Sequence, residues 1–261
     1  MAKTDADNGL PGIGSWLVEM LRITCFPTDT GTIDVAEWWT KALGEAPEST
    51  TMKPKEGAQL CEGPLGTWRL RVSMQPGRVD WTFAPGVSDQ SLELLIPALS
   101  PFPKASEEFL AVADKWFAAE ACPQIRRLAF GANLLQSVES GPDGYRLASK
   151  YLKRSVKIDA EGSRDLLYRI NRRKPSALSM PGLEINRLTT WSVVVLKHVA
   201  MMVEGEQASA MPVAKEYALR LELDINTTQE FRGPFGQPDL AVVLRELVDC
   251  AEDVGASGDI P

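Results

Sequence analysis

Residues 67–83 read TWRLRVSMQPGRVDWTF, and their alternation decides how the chain is folded. Trp68, Leu70, Val72 and Met74 alternate with Arg69, Arg71 and Ser73, and beyond Pro76-Gly77 the alternation resumes at Val79, Trp81 and Phe83. A period of two marks a strand with one face in water and the other against a core. With Pro76 and Gly77 as the loop, Gln75 stands opposite Arg78, so Met74 faces Val79, Val72 faces Trp81 and Leu70 faces Phe83. These apolar side chains then share one face, and a one-residue slip would turn them all to solvent. Pro-Gly suits a type I or II turn better than the primed turns hairpins favour, so a longer loop or a bulge is compatible with the stretch.

Upstream, WLVEMLRITCF at 16–26 is apolar and rich in strand formers, and Pro27 ends it. Thr32 is placed to cap a helix whose Val35, Trp38, Trp39, Ala42 and Leu43 recur at helical spacing, with Gly44 as its stop. The neighbouring indoles Trp38 and Trp39 fit this stripe, which favours core packing over a ligand platform. A short strand is expected at 50–53. Downstream of the hairpin a proline-rich loop covers 97–103. Ser106 then reads as an N-cap, with Glu107 and Glu108 in the first turn of a helix that buries Phe109, Val112, Ala113, Trp116 and Phe117. Trp81 is expected to pack against one of these two aromatic helices.

The remainder repeats this order of elements. A strand at 126–138 leads through Gly141-Pro142 into a helix with Leu147, Ala148, Tyr151 and Leu152 on its inner side. Strands follow at 166–171, 183–196 and 218–227, and a helix from Asp239 carries Leu240, Val243, Leu244, Leu247, Val248 and Ala251. The expected class is therefore α+β, with two similar strand-helix-three-strand-helix halves, at 15–123 and 124–261, whose mainly antiparallel sheets are covered by helices. The halves are expected to pack as one unit behind a loose arm at 1–14, where Gly12-Ile13-Gly14 is a turn.

The phrases RRLAFGANLL (126–135), LLYRINRRKP (166–175), LEINRLTTWSV (183–193) and YALRLELDINT (217–227) resemble a sporadically distributed family of bacterial proteins of similar length that has no assigned activity. The resemblance implies a bacterial cytoplasmic setting and an α+β fold. The phrases are strand-like rather than catalytic, so no functional residue is carried over.

The chain has 261 residues, 44% of them hydrophobic and 24% charged, which is the composition of a soluble globular chain rather than a disordered one. It contains no apolar run long enough to span a bilayer, and MAKTDADNGLPGIG lacks the basic-then-apolar layout of a signal peptide. A cytoplasmic protein without membrane contact is expected. Cys25, Cys61, Cys122 and Cys250 are far apart and form no CxxC pair, so reduced, buried thiols are expected rather than a zinc knuckle or a redox dithiol.

His198 is the single histidine. A His-rich metal site is thereby excluded within one chain, and any Ser-His-Asp or Cys-His arrangement has to use that residue. Its apolar neighbours favour a core histidine over a catalytic base. GxSxG, SxxK, HExxH and GxxxxGK[ST] are absent. Glu222 and Asp224, two apart on the polar face of one strand, could hold Mg²⁺ beside a third carboxylate such as Glu184, although alternating acids on a strand are usually only solvated. No cofactor and no catalytic residue are assigned.

Charge is unevenly distributed. Residues 1–125 carry 10 basic and 17 acidic side chains, 126–203 carry 14 and 6, and 204–261 carry 4 and 12. The basic middle offers Arg126, Arg127, Lys150, Lys153, Arg154, Lys157, Arg169, Arg172, Arg173 and Lys174 as a binding set. Tyr168 joins them, with Tyr145 and Tyr151 interleaved. The expectation is a non-enzymatic interaction or scaffold protein that meets a protein partner or a second copy of itself through complementary charge. The alternatives are nucleic-acid binding at 126–174, where cations would neutralise phosphates and tyrosines stack bases, and a carboxylate- or metal-dependent enzyme.

Overall fold

The hairpin has the register that its alternation dictates. Gln75 pairs with Arg78, Met74 with Val79, Val72 with Trp81 and Leu70 with Phe83. Gly77 takes φ 75°, which matches the third position of a type II turn and explains why Pro-Gly closes the loop in two residues. The structure, a computed structural model, describes residues 9–29, 34–86, 96, 99–120, 122–204, 207–231 and 233–259. Most of the loose arm at 1–14, the helix cap Thr32, the first two residues of the loop at 97–103 and the side chain of His198 lie outside the described residues.

The strands are β1 (Leu17–Pro27), β2 (Ser49–Lys53), β3 (Ala58–Leu65), β4 (Trp68–Gln75), β5 (Arg78–Pro85), β6 (Ile125–Val138), β7 (Leu167–Pro175), β8 (Glu184–Glu204) and β9 (Gln207–Thr227). The helices are α1 (Val35–Leu43), α2 (Phe102–Ala118), α3 (Gly141–Tyr151) and α4 (Gln237–Ser257). The strands form one antiparallel sheet in the order β2-β3-β4-β5-β1-β6-β9-β8-β7.

This corrects the expectation of an α+β chain in two halves, each with its own helix-covered sheet. β1 pairs with β6 from Leu17–Leu135 to Pro27–Ile125, so a single ladder runs through the middle of the molecule. Element order along the chain carries no information about which strands meet across that middle. The first half also has a fifth strand, β3, where Gly63 and Pro64 break the alternation. Its ladder to β4 nonetheless runs from Gln59–Met74 to Leu65–Trp68.

Several ends differ as well. α2 begins at Phe102, with Pro103 in its first turn, where a missing N–H costs nothing. Ser106 is therefore inside the helix and donates to the Pro103 carbonyl instead of capping. α1 is capped by Asp34, which accepts from the N–H groups of Ala36 and Glu37. β8 and β9 run past 196 and start before 218, because beyond Tyr217 the two pair with each other as a ribbon that needs no alternating core face.

The helices lie on one face of the sheet. Trp81 is 2% exposed and packs against Trp116 of α2 at 5.1 Å between rings, and Trp116 meets Trp38 of α1 at 5.3 Å. On the other side of the core Trp16, Tyr151 and Trp191 form a second aromatic group, in which the Trp16 indole N–H donates to the Gly255 carbonyl of α4. The opposite sheet face is covered at one end, where Ile96 and Leu99 meet Leu135 and Ala218. No described helix is long and apolar enough to cross a membrane.

Candidate interaction surface

β7 is an edge strand: it pairs with β8 from Leu167–Ser192 to Pro175–Glu184 and, among the described residues, with nothing on its other side. Alternation sends Tyr168, Ile170, Arg172 and Lys174 towards the helices and Leu167, Arg169, Asn171 and Arg173 to the other face. Leu167 is 71% exposed, and Arg169 is exposed with no ion pair among the described residues.

The two faces of β7 therefore use their charges differently. Arg172 donates to both carboxylate oxygens of Asp259, at 3.0 and 2.9 Å, and Tyr168 donates to the same group at 2.8 Å. Burial on its own would raise the Asp259 carboxyl. Hydrogen bonds from Arg172, Ser155 and Tyr168 overcome that and hold it at about 2. Lys174 lies beside Cys250, where burial pushes the thiol up and the lysine pulls it the other way. Arg173 pairs with Glu184 and with Glu230, each at 2.9 Å. Tyr145 and Tyr151 are buried in the core. The tyrosines expected among the cations are thus a core group and a hydrogen-bond donor, not exposed stacking rings.

Lys150, in the last turn of α3, and Lys153, Arg154 and Lys157, in the turns after it, are exposed and form no ion pair among the described residues. Ser155, within the same turns, donates to the Asp259 carboxylate that Tyr168 and Arg172 of β7 also hold, which brings this segment beside the strand. Together with Arg169, and with Arg126 elsewhere on the sheet, these four cations are the members of the expected binding set that are exposed and without an ion pair among the described residues.

Arg126 and Arg127 belong to a different place. Arg127 stacks over the Phe26 ring at 5.0 Å and donates to the Thr227 carbonyl and to Asn226 Oδ1, at 3.1 and 2.9 Å. Asn226 accepts in turn from Asn186, and Asn186 from Asn171, both at 3.1 Å. A polar row therefore crosses the open sheet face from β6 to β7. Arg126 is exposed and shares with Arg127, Phe26, Thr228, Gln229 and Phe231 a pocket of about 380 Å³. Sequence reasoning found the two arginines but not the other four residues, which lie on separate segments and follow no spacing rule.

A groove of about 500 Å³ between α2 and α4 has the opposite charge. Glu107, Asp114, Asp249 and Glu252 line it, with Arg245 paired to Asp114. Burial raises the Asp249 and Glu252 carboxyls, and the neighbouring acids add to it.

The carboxylates considered for Mg²⁺ do not converge. Glu184 lies four residues along β8 from Leu188, the residue opposite Asp224, a separation of about 13 Å at the rise of a strand. Glu184 pairs with Arg173 and Glu222 with Arg220, and no group of three potential ligands occurs among the described residues. All four cysteines are free, three of them buried and Cys122 half-buried. No protein-family model, curated protein or solved structure matches the chain.

Proposed function

We propose that this is a non-enzymatic interaction protein whose β7 edge and adjoining cationic turn receive an acidic, extended segment of a partner protein. The observation that carries this reading is the nine-residue edge of β7, paired on one side only among the described residues and flanked by exposed cations. An unpaired edge offers a row of backbone donors and acceptors to an incoming strand, and alternate side chains set the specificity. Here those side chains are Leu167, Arg169, Asn171 and Arg173, with Lys150, Lys153, Arg154 and Lys157 nearby in the chain. β7 carries no acid, and its Arg169, without an ion pair among the described residues, would meet the cations of the same strand across a ladder with the β7 of a second copy, where like charges are destabilising. An acidic strand neutralises that charge. Nucleic acid would need open rings among these cations, and Tyr145, Tyr151 and Tyr168 are engaged elsewhere.

Fluorescence anisotropy with a labelled peptide alternating Glu with Val or Thr tests the reading, alongside a neutral peptide of the same pattern and a single-stranded oligonucleotide. The acidic peptide should bind, more weakly as salt rises, and Arg169→Glu should weaken it about tenfold. Equal binding of the neutral peptide would overturn the charge argument. Tighter binding of the oligonucleotide would transfer the surface to nucleic acid. Light scattering across the same salt series reads whether the acidic segment comes from a second copy, as a mass above the monomer that falls with salt.

A further inference from the structure

The pocket at Arg126 and Arg127 lies apart from the β7 edge in its composition and in the elements that build it. β1 brings Phe26, the start of β6 brings both arginines, and the segment after β9 brings Thr228, Gln229 and Phe231. Its volume of about 380 Å³ is that of a small-molecule site. Among the described residues no carboxylate lines it, so two arginines share this space without a neutralising partner from the lining.

The arginines are unequal in a useful way. Arg127 is fixed by its stack on Phe26 and by bonds to the Thr227 carbonyl and Asn226, which pre-orders its guanidinium without neutralising it by a carboxylate. Arg126 is exposed and free to close on a ligand. Two guanidinium forks match the several oxygens of a phosphate monoester better than the two of a carboxylate.

The rest of the lining is matched to a flat, polar-edged group. Phe231 stacks on Phe235 at 5.0 Å with an interplanar angle of 13°, a pairing that fixes its ring beside the pocket. Thr228 is 2% exposed, and its hydroxyl has no hydrogen-bond partner among the described residues. A buried hydroxyl left unpaired is costly, and a ligand edge that pairs it recovers that cost. Gln229 adds an amide, which both donates and accepts.

We propose that this pocket binds a nucleoside monophosphate, with the phosphate between Arg126 and Arg127, the base against Phe231 and a polar edge on the Thr228 hydroxyl. Isothermal titration calorimetry of the full chain with AMP, GMP, CMP and UMP, and with adenosine and inorganic phosphate as the two halves, tests it. At least one nucleotide should bind with a Kd below about 1 mM, and each half at least about tenfold more weakly. Arg126→Ala, at an exposed position that leaves the fold alone, should weaken the nucleotide about tenfold or more. Thr228→Val should weaken it less and change the preference among the four bases. The proposal is overturned if none of the four nucleotides gives heat at millimolar concentration, if inorganic phosphate binds as tightly as the best nucleotide, or if Arg126→Ala leaves the affinity unchanged.

Discussion

Arg172 holds Asp259 in a two-pronged ion pair, Nε to one carboxylate oxygen at 3.0 Å and Nη2 to the other at 2.9 Å, and thereby ties the residues after α4 to the edge strand β7. The Asp259 side chain is 2% exposed and that of Arg172 26%, so the pair is far better shielded than the surface bridges elsewhere on the protein. Tyr168 and Ser155 donate to the same carboxylate. Removing Arg172 leaves a buried charge with its main partner gone, and Arg172→Ala should destabilise the protein by roughly 3 kcal/mol in urea unfolding.

The same cluster gives a pH dependence whose sign follows from the direction of the shift. The folded Asp259 carboxyl is held at about 2, below its ordinary 3.8, so the unfolded chain binds the proton first. The stabilisation is complete above about pH 4 and is lost as pH falls towards about 2, on the order of 2 kcal/mol in all. Chemical denaturation between pH 2 and pH 5 should therefore show a slope that Asp259→Asn flattens.

Trp81 is buried on Trp116 in the register that the hairpin imposes, yet its indole N–H has no hydrogen-bond partner among the described residues. Its contribution is thus mainly one of packing. Trp81→Ala should cost about 3–5 kcal/mol, whereas Trp81→Phe, which keeps a ring and removes the unpaired donor, should cost no more than about 1–2 kcal/mol. A comparable loss in both variants would show that ring size, not burial as such, sets the packing there.

The hairpin was legible because each of its strands has one face in water, so side-chain type and side-chain direction coincide. β6 was legible as a strand but not as the centre of a sheet. Its Ala129, Gly131 and Leu135 face away from the helices and Phe130 and Leu134 towards them, which makes the strand apolar on both sides and silent about its neighbours. The charges in 126–174 were equally visible as a set, and their partners were not. Asp259 pairs with Arg172 across 87 positions in the chain, and no local pattern encodes a contact of that range. Tyr168, read as a stacking ring, became a donor for the same reason.

Glu246 of α4 is a buried acid with a comparable tethering role. It accepts from the Ser176 hydroxyl and from the Ala177 N–H, both at 2.5 Å, fixing the connection between β7 and β8 to the helix layer. Glu246→Gln keeps one acceptor and the shape and should cost about 1 kcal/mol, while Glu246→Ala strands a buried N–H and should cost about 2–3 kcal/mol. Hydrogen exchange of the Ala177 amide should accelerate in the alanine variant first.

Thiol chemistry offers a test of packing that needs no substitution. Burial pushes the Cys122 thiol up to about 12, and it raises Cys25, deeper in the core, well above its ordinary value, with Cys122 and Asp80 adding to that. The thiolate is the reacting form, so at pH 8 only about one Cys122 in ten thousand is ionised in the folded state. Labelling by a disulfide reagent should be slow in the native protein and rapid in denaturant. Fast native labelling of Cys122, the least buried of the four cysteines, would show that the turn after α2 opens on the timescale of the assay.

Gly258 decides whether Asp259 can reach Arg172 at all. Its φ of 80° with ψ of −160° belongs to a region open essentially to glycine alone. A Cβ built there would lie 2.1 Å from the Tyr151 carbonyl oxygen, which itself accepts from the Asp259 N–H at 3.2 Å. Backbone, not a flexible side chain, is what the methyl group would strike, so Gly258→Ala must swing the chain away from α3 and take the Asp259 carboxylate out of its cluster. The variant should therefore lose the same acid-side pH slope as Asp259→Asn, besides about 1–3 kcal/mol from the strained backbone. Because both changes remove one interaction, the double variant should be much less destabilised than the two single losses added together. Full additivity in urea unfolding would show that Asp259 keeps its ion pair when Gly258 is replaced, and would locate the cost of Gly258→Ala entirely in the turn.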